Sequence, residues 1–523
     1  MPTINFKGKS FVQNHHLAVK YHQLIPKKEY SMTDNVSLHD NLIIHGDNLA
    51  ALKALLPTYA GKIKCIYIDP PYNTGNEKWV YNDNVNSPLI KEWLGKVVDK
   101  DDLCRHEKWL CMMMPRLKIL RELLNEEGVI FASIDDNEEA HLRILMDEVF
   151  SENNFMGKLP RRTKVGGGSA ASDFAIEHDY VIAYAKNKEY LPKLFIPHDP
   201  EYVKRYKEED EKGKYFWDTM ERSSTATKPY KIKAPDGTIL SGNWFRAEET
   251  FKKDLEDGEV KFLKKKDGSW SVQFKQRIGQ GRKLRSLIEN EFKSDQSEYK
   301  DFGINYPFDY PKPVSLLYEL IQVSTDKDDI ILDSFAGTGT TAHAVLKLNN
   351  EDGGNRKFIL VEMEDYANKI TAERVRRVIK GVKKSKDENL KNGLGGSFSY
   401  FELGEPIEME SILQGKNMPS YEELARYVFY TSTGEEFDSG KIDESKNYIG
   451  STKDYDVYLF YKPDIEYLKN TALTLEKAES ISKGKSNKKK LVFAPTKYLD
   501  EHSLRDLKIE FCQLPFEIYR IKG

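Results

Sequence analysis

Past a polar stretch of 40 residues, apolar runs and helix-spaced apolar positions alternate from about 41 to 190 of this 523-residue chain. Residues 41–47 (Asn-Leu-Ile-Ile-His-Gly-Asp) read as a short buried strand ending at Gly46 and Asp47. Leu49, Leu52, Leu55 and Leu56 then recur at helical spacing, with Asn48 the expected cap. A second strand runs from Ile63 to Ile68. A helix over 105–126 carries Trp109, Met112, Met113, Leu117, Leu120 and Leu124, whose methionines read as core filling. A third strand covers 128–135, Asn137 opens another helix, and 178–185 forms a further strand. Strand–helix–strand succession makes neighbouring strands parallel.

The alternation stops between about 190 and 300, where the chain is polar and aromatic, and resumes near 328. Strands are expected at 328–333 and 356–362, with helices at 342–348 and 367–382. Residues 397–523 read as a separate region with strands at 455–461, 490–493 and 509–512. The pattern describes an α/β protein with a doubly wound, mainly parallel sheet.

Composition narrows the class. Lys and Arg number 80, Asp and Glu 83, and the net charge is −3, so any basic footprint must be local. One exists: between Lys261 and Arg285, nine basic residues face a single acid, Asp267. No run approaches ~18 apolar residues, so no membrane span is expected, and the polar start lacks the apolar core of a signal peptide. Cys65, Cys104, Cys111 and Cys512 form no CxxC pair. They suggest a reducing, cytoplasmic setting. No HExxH or Cys/His cluster points to a metal, and His15, His16, His106 and His343 read as structural or surface groups.

Two stretches carry chemistry. The strand from Ile63 ends in Asp69-Pro-Pro-Tyr72. Pro70 and Pro71 cannot donate to a ladder and stiffen the loop. Asp69 supplies an acceptor, Pro70 a carbonyl and Tyr72 a flat face: together a grip for a planar amino-bearing ring. The second stretch is Asp333-Ser-Phe-Ala-Gly-Thr-Gly339, whose glycines let backbone approach a ligand. It has neither GxGxxG nor Gly-Lys-Ser/Thr, so pyrophosphate is not the expected ligand. Glu362, ending the next strand, stands where an acid would hold ribose hydroxyls. A nucleoside cofactor without a phosphate chain, S-adenosylmethionine, fits.

Asp69-Pro-Pro-Tyr72 followed by Phe335-Ala-Gly-Thr-Gly339 resembles the amino-methylating DNA methyltransferases, in the permuted motif order of the β class. His45-Gly-Asp-Asn-Leu49, Tyr81-Asn-Asp83, Ser133-Ile-Asp-Asp136 and Leu491-Val-Phe-Ala-Pro-Thr-Lys497 are similar to the Mod subunits of type III restriction–modification systems. The likeness implies a Rossmann-like sheet and adenine-N6 methylation of flipped bases in double-stranded DNA. It also implies homodimerisation and a separate restriction (Res) helicase–nuclease chain. Phe335, Gly337 and Gly339 would shape the cofactor pocket, with Asp333 at its floor, Glu362 on the ribose and Asp47 on the adenine. Lys312 would pack near the methionine end. Asp69, Pro70, Pro71 and Tyr72 would hold the target base.

The implied domains are an N-terminal arm (1–40), the core's first part (41–190) and a target-recognition domain (191–300). The core's second part (301–380), a linker (381–396) and a C-terminal interaction domain (397–523) follow. Arg161, Arg162, Lys164, Lys264, Lys265, Lys266, Lys275, Arg277, Arg282 and Arg285 are the DNA-contact candidates. Two rivals remain: an orphan regulatory methyltransferase, and a DNA-binding specificity subunit without catalysis.

Overall fold

The structure, a computed structural model, describes residues 3–74, 104–163, 174–222, 229–288, 302–304, 311–407, 412, 415, 418–483 and 486–514. Two compact units emerge: Met1–Lys193 with Arg285–Gly523, and Leu194–Leu284.

The first unit opens with short helical turns at Lys9–Val12 and His15–Ala18, then β1 (His22–Pro26), β2 (Leu42–His45), α1 (Asn48–Tyr59) and β3 (Ile63–Ile68). Next come α2 (Arg105–Leu123), β4 (Leu124–Ile134), α3 (Glu139–Phe150), β5 (Phe155–Arg162) and β6 (His178–Ala185). The second unit holds β7 (Glu208–Asp210), β8 (Gly213–Thr219), β9 (Tyr230–Lys233), β10 (Ile239–Gly242), α4 (Glu248–Glu256), β11 (Val260–Lys264) and β12 (Trp270–Arg277). The first unit resumes with α5 (Val314–Ser324), β13 (Ile330–Asp333), α6 (Thr340–Asp352), β14 (Lys357–Glu362), α7 (Glu373–Lys380) and β15 (Ser399–Pro406). It ends with α8 (Tyr421–Thr433), β16 (Tyr448–Ser451), β17 (Tyr455–Leu459), β18 (Lys489–Ala494) and β19 (Ile509–Gln513).

The main sheet runs β1-β15-β2-β14-β13-β3-β4-β6-β5. From β15 to β4 every pairing is parallel. β1 at one edge and β6 near the other run antiparallel to their neighbours. All six residues of β3 are buried, as a strand covered on both faces requires. Leu42, Ile44, Ile66, Ile68 and Leu332 pack with apolar residues of α1, α2 and α3, including Met112, Met113 and Met114. Their alternates, Ile43, Cys65, Ile331 and Leu360, are equally buried, on the side that α5 and α6 cover by packing together.

Several expectations need correction. The first 40 residues are not a surface arm: Val12 is fully buried, and β1 pairs with β15. Asn48 does not cap α1; Asp47 does, accepting from the Ala50 amide at 2.9 Å. The presumed linker 381–396 is packed, with Leu390 and Leu394 buried, and a side chain at Gly381 would strike the Lys391 carbonyl at 2.6 Å. Position 397 is no boundary, because β15 inserts beside β2 in the main sheet. A smaller sheet, β16-β17-β18-β19, follows with its own core around Leu424, Val428, Val457 and Phe493.

The stretch where strand–helix alternation stops folds as the second unit, of antiparallel strands. Its sheet runs β11-β12-β8-β7, and β9 and β10 form a hairpin. Met220, Ile232, Trp244, Phe251, Val260, Val272 and Phe274 make its core. β12 turns Val272 and Phe274 inward between Ser271, Gln273 and Lys275, the period-two signature of a half-buried strand.

Candidate active site

Register brings the two motif strands together. β13 lies beside β3, with Asp333 opposite Tyr67, and on its other flank β14 places Leu360 opposite Asp333. The carboxyl ends of β2, β14, β13 and β3 therefore open onto one cavity of about 1110 Å³. Asp47, Asp69, Pro70, Pro71, Tyr72, Lys312, Asp333, Phe335, Gly337 and Glu362 all line it. A crevice at the carboxyl ends of an open α/β sheet is where ligands bind.

On one side stands the proline loop. The Trp109 indole donates to the Pro71 carbonyl at 2.7 Å and fixes the loop onto α2. The Tyr72 hydroxyl donates to Asp179 Oδ2 at 3.3 Å. Burial, with Asp69 and Asp179 nearby, pushes the Tyr72 phenol well above its ordinary value, so it stays a neutral donor. Asp179 is in turn held by the Arg161 guanidinium, with Nε at 2.8 Å and Nη2 on the second oxygen. Lys312 Nζ lies 2.7 and 2.8 Å from the two Asp69 oxygens and 4.8 Å from the Tyr72 ring centre. Lys312 thus lies against the Asp69–Tyr72 loop.

On the other side is the glycine loop. Gly337 (φ 49°) and Gly339 (φ 78°) occupy the left-handed region. A side chain at Gly339 would meet the Thr371 carbonyl at 3.2 Å, whereas at Gly337 only the Phe335 carbonyl lies within 4.0 Å, so the backbone there borders open space. Asp333 accepts from the Phe335 amide at 3.0 Å and from the Thr341 hydroxyl at 2.5 Å. Glu362 accepts from the amides of Gly337 at 2.7 Å and Glu364 at 3.0 Å. Burial raises both carboxyls to about 7. Two buried acids beside open glycine backbone suit a cationic nucleoside, so S-adenosylmethionine fits this pocket.

Residues assigned no role at the site from the sequence brace the two sides. Asn48 donates to the Ser334 carbonyl at 3.1 Å and accepts from Arg116 Nε at 2.5 Å. Arg116, 4% exposed, also reaches Asp47 at 3.4 Å. Arg374, fully buried, donates to the hydroxyls of Thr338 and Thr340, both at 2.8 Å, behind the glycine loop. Arg116, between Met114 and Leu117 on the apolar stretch of α2, was the available cue.

The DNA-contact candidates separate. Arg161 is 6% exposed and is the cross-strand partner of Asp179, so it is a positioning group, not a phosphate contact. Arg162 is exposed and pairs with Glu177 at 3.0 Å. Lys164 lies outside the described residues. In the second unit, Lys275 and Arg277 are engaged by Asp210 at 2.8 and 2.6 Å, and Arg277 also by Glu259 at 2.8 Å. They brace their sheet. Lys264 sits 5.5 Å from the Trp270 ring centre. Lys264, Lys265, Lys266, Arg282 and Arg285 are exposed.

The sheet order, with its antiparallel penultimate strand and two facing motif loops, defines a methyltransferase architecture. The family model for DNA methylases (N6 and N4) matches residues 63–373, and the chain belongs to this family of S-adenosylmethionine-dependent DNA methyltransferases. It is similar to the type III restriction-modification enzyme StyLTI Mod subunit of Salmonella typhimurium LT2, 35% identical over 383 residues. That match takes in 69% of this chain and 58% of the relative, so the chain spans little more than half that protein's length. The EcoPI Mod subunit of Escherichia phage P1 is 32% identical over 480 residues, covering 79% of this chain and 73% of the relative. The type II methyltransferase M.KpnI of Klebsiella pneumoniae is 31% identical over 376 residues, covering 65% and 85%. Among solved structures, PvuII DNA methyltransferase (cytosine-N4-specific) aligns with TM-score 0.36 at 14% identity, over 69% of this chain and 96% of that one. Among the described residues no helix is long and apolar enough to cross a membrane.

Proposed function

We propose that this chain is the modification subunit of a type III restriction–modification system, methylating N6 of an adenine flipped out of double-stranded DNA, in the cytoplasm. One observation carries the reading: the Asp69 carboxylate and the acid-and-glycine pocket of Asp333 and Glu362 line one cavity. When bound, S-adenosylmethionine supplies a methyl group activated on a sulfonium. Adenine's exocyclic amine is a poor nucleophile, because its lone pair is delocalised into the ring. Asp69 and the Pro70 carbonyl accept its two N–H bonds and direct the lone pair out of plane, so the gain comes mostly from positioning. Tyr72 stacks on the flipped base, returning ~1–3 kcal/mol of the flipping cost. Lys312 Nζ lies against both Asp69 oxygens, so it competes with the amine for that carboxylate and holds it in place. Asp in the first position of this motif favours adenine, since cytosine-N4 enzymes more often carry Ser there.

The test is transfer of labelled methyl from S-adenosylmethionine to DNA by the purified chain, with and without a Res helicase–nuclease. Asp69→Ala should lower the rate roughly 10³-fold or more while leaving cofactor binding intact. Single-molecule sequencing of the product should report N6-methyladenine at one sequence context. N4-methylcytosine there would overturn the adenine assignment. DNA binding without transfer under every condition would overturn the enzyme reading.

A further inference from the structure

Outside the cleft, one cluster has no part in the chemistry above. Glu138 is fully buried at the start of α3. The His106 Nδ1, from the first turn of α2, lies 2.7 Å from Glu138 Oε1. The His141 Nδ1 lies 2.9 Å from Glu138 Oε2. That second approach is outside hydrogen-bonding geometry, and both Glu138 Oε2 and His141 Nδ1 are buried atoms with no hydrogen-bond partner. The two atoms are an ion pair whenever His141 is protonated, and a metal ion would take that proton's place. The three ligand atoms lie within 4.8 Å of one another.

We propose that His106, Glu138 and His141 bind one divalent transition-metal ion of the zinc class, clamping α2 to α3. Two imidazole nitrogens and a carboxylate match zinc-type ions and not magnesium or calcium, which prefer all-oxygen sets. Glu138 and His141, spaced i, i+3, project from one turn, and His106 comes from a second helix, so the donors stand on rigid elements. The two rings are 34% and 36% exposed, which leaves a path for the ion and a coordination position for water. The site also touches the base loop. Asn73, the residue after Tyr72, is 1% exposed, and its side-chain amide donates to Glu138 Oε1 and to the Arg105 carbonyl at 3.2 Å. A bound ion would fix Glu138 and, through it, the conformation of Asn73 (φ 57°) at the end of the Asp69–Tyr72 loop.

The experiment uses the full chain, stripped with chelator and titrated with Co²⁺ followed by its visible d–d absorption, then with Zn²⁺ in competition. The expected result is one ion per chain, displaced by Zn²⁺, with Zn²⁺ also raising Tm. His106→Ala and His141→Ala, both at partly exposed positions, should each weaken binding about tenfold or more. Glu138→Gln, of the same shape, should weaken it likewise. His502→Ala, at an exposed histidine elsewhere, should change nothing. Absence of stoichiometric binding, or equal binding by the His106 and His141 variants, would overturn the site.

Discussion

The two compact units use charge in opposite ways. In the methyltransferase unit the charged groups near the cavity are enclosed and paired: Arg161 with Asp179, Arg116 with Asp47 and Asn48, Lys312 with Asp69. In the second unit Asp210, Glu259, Lys275 and Arg277 pair at a partly exposed sheet. Lys265 and Lys266 there sit exposed on the turn between β11 and β12. The enclosed charges are worth their geometry, because a buried charge without its partner is expensive. The exposed ones are screened by salt and can exchange water and counterions for a polyanion. A run of basic residues in sequence does not say which kind it is; only burial and the opposing carboxylates do.

Arg161→Ala should break the contrast most visibly. It strands Asp179 in the interior and should cost the first unit about 3–5 kcal/mol in denaturant unfolding. Replacing both partners with apolar residues should return much of that stability while leaving Tyr72 without its anchor. Next in size is Glu362→Ala, which should weaken cofactor binding by ~1.5–3 kcal/mol in calorimetry, the range for hydrogen bonds to a charged group. The pH response follows from Asp333 and Glu362, whose carboxyls burial raises to about 7. A raised carboxyl binds its proton more tightly in the folded state. The ligand-free unit should therefore lose stability as pH rises from the ordinary carboxylate range through about 7. If Glu362 holds the ribose, cofactor affinity should move the other way, roughly tenfold weaker at about pH 6 than at about pH 8, because hydroxyls donate to the ionised carboxylate. Smallest in stability are Lys265→Ala and Lys266→Ala, expected to stay within about ±0.5 kcal/mol. If that turn meets phosphate, each should reduce the salt slope of DNA binding by about one.

The core strands and both motif loops were legible because each pairs a buried β-branched run with a glycine or proline break. The adjacency of β3 and β13 followed from the motif order. Less legible was whatever depends on partners distant in sequence. Lys312 entered through the family resemblance alone, and its reach to Asp69 rests on a packing arrangement no local pattern encodes. Arg161 read as basic surface because Asp179, opposite it in the ladder, lies 18 residues on. β15 was hidden by the preceding glycines and lysines, which suggested a linker. The strands of the second unit escaped, because those described pair antiparallel and the alternation sought was that of a parallel sheet.

The order of the main sheet also bears on how the protein is made. β2 and β3 leave the ribosome early, yet in the finished sheet β14 and β13 stand between them. Both later strands lie beyond the whole second unit in sequence. At roughly 5–20 residues per second, on the order of tens of seconds of synthesis separate β3 from β14. Throughout that interval one edge of β3, six residues meant to be buried on every side, has no strand to bond. A nascent chain arrested before residue 330 should consequently be a chaperone client, and one extended past 362 should be released.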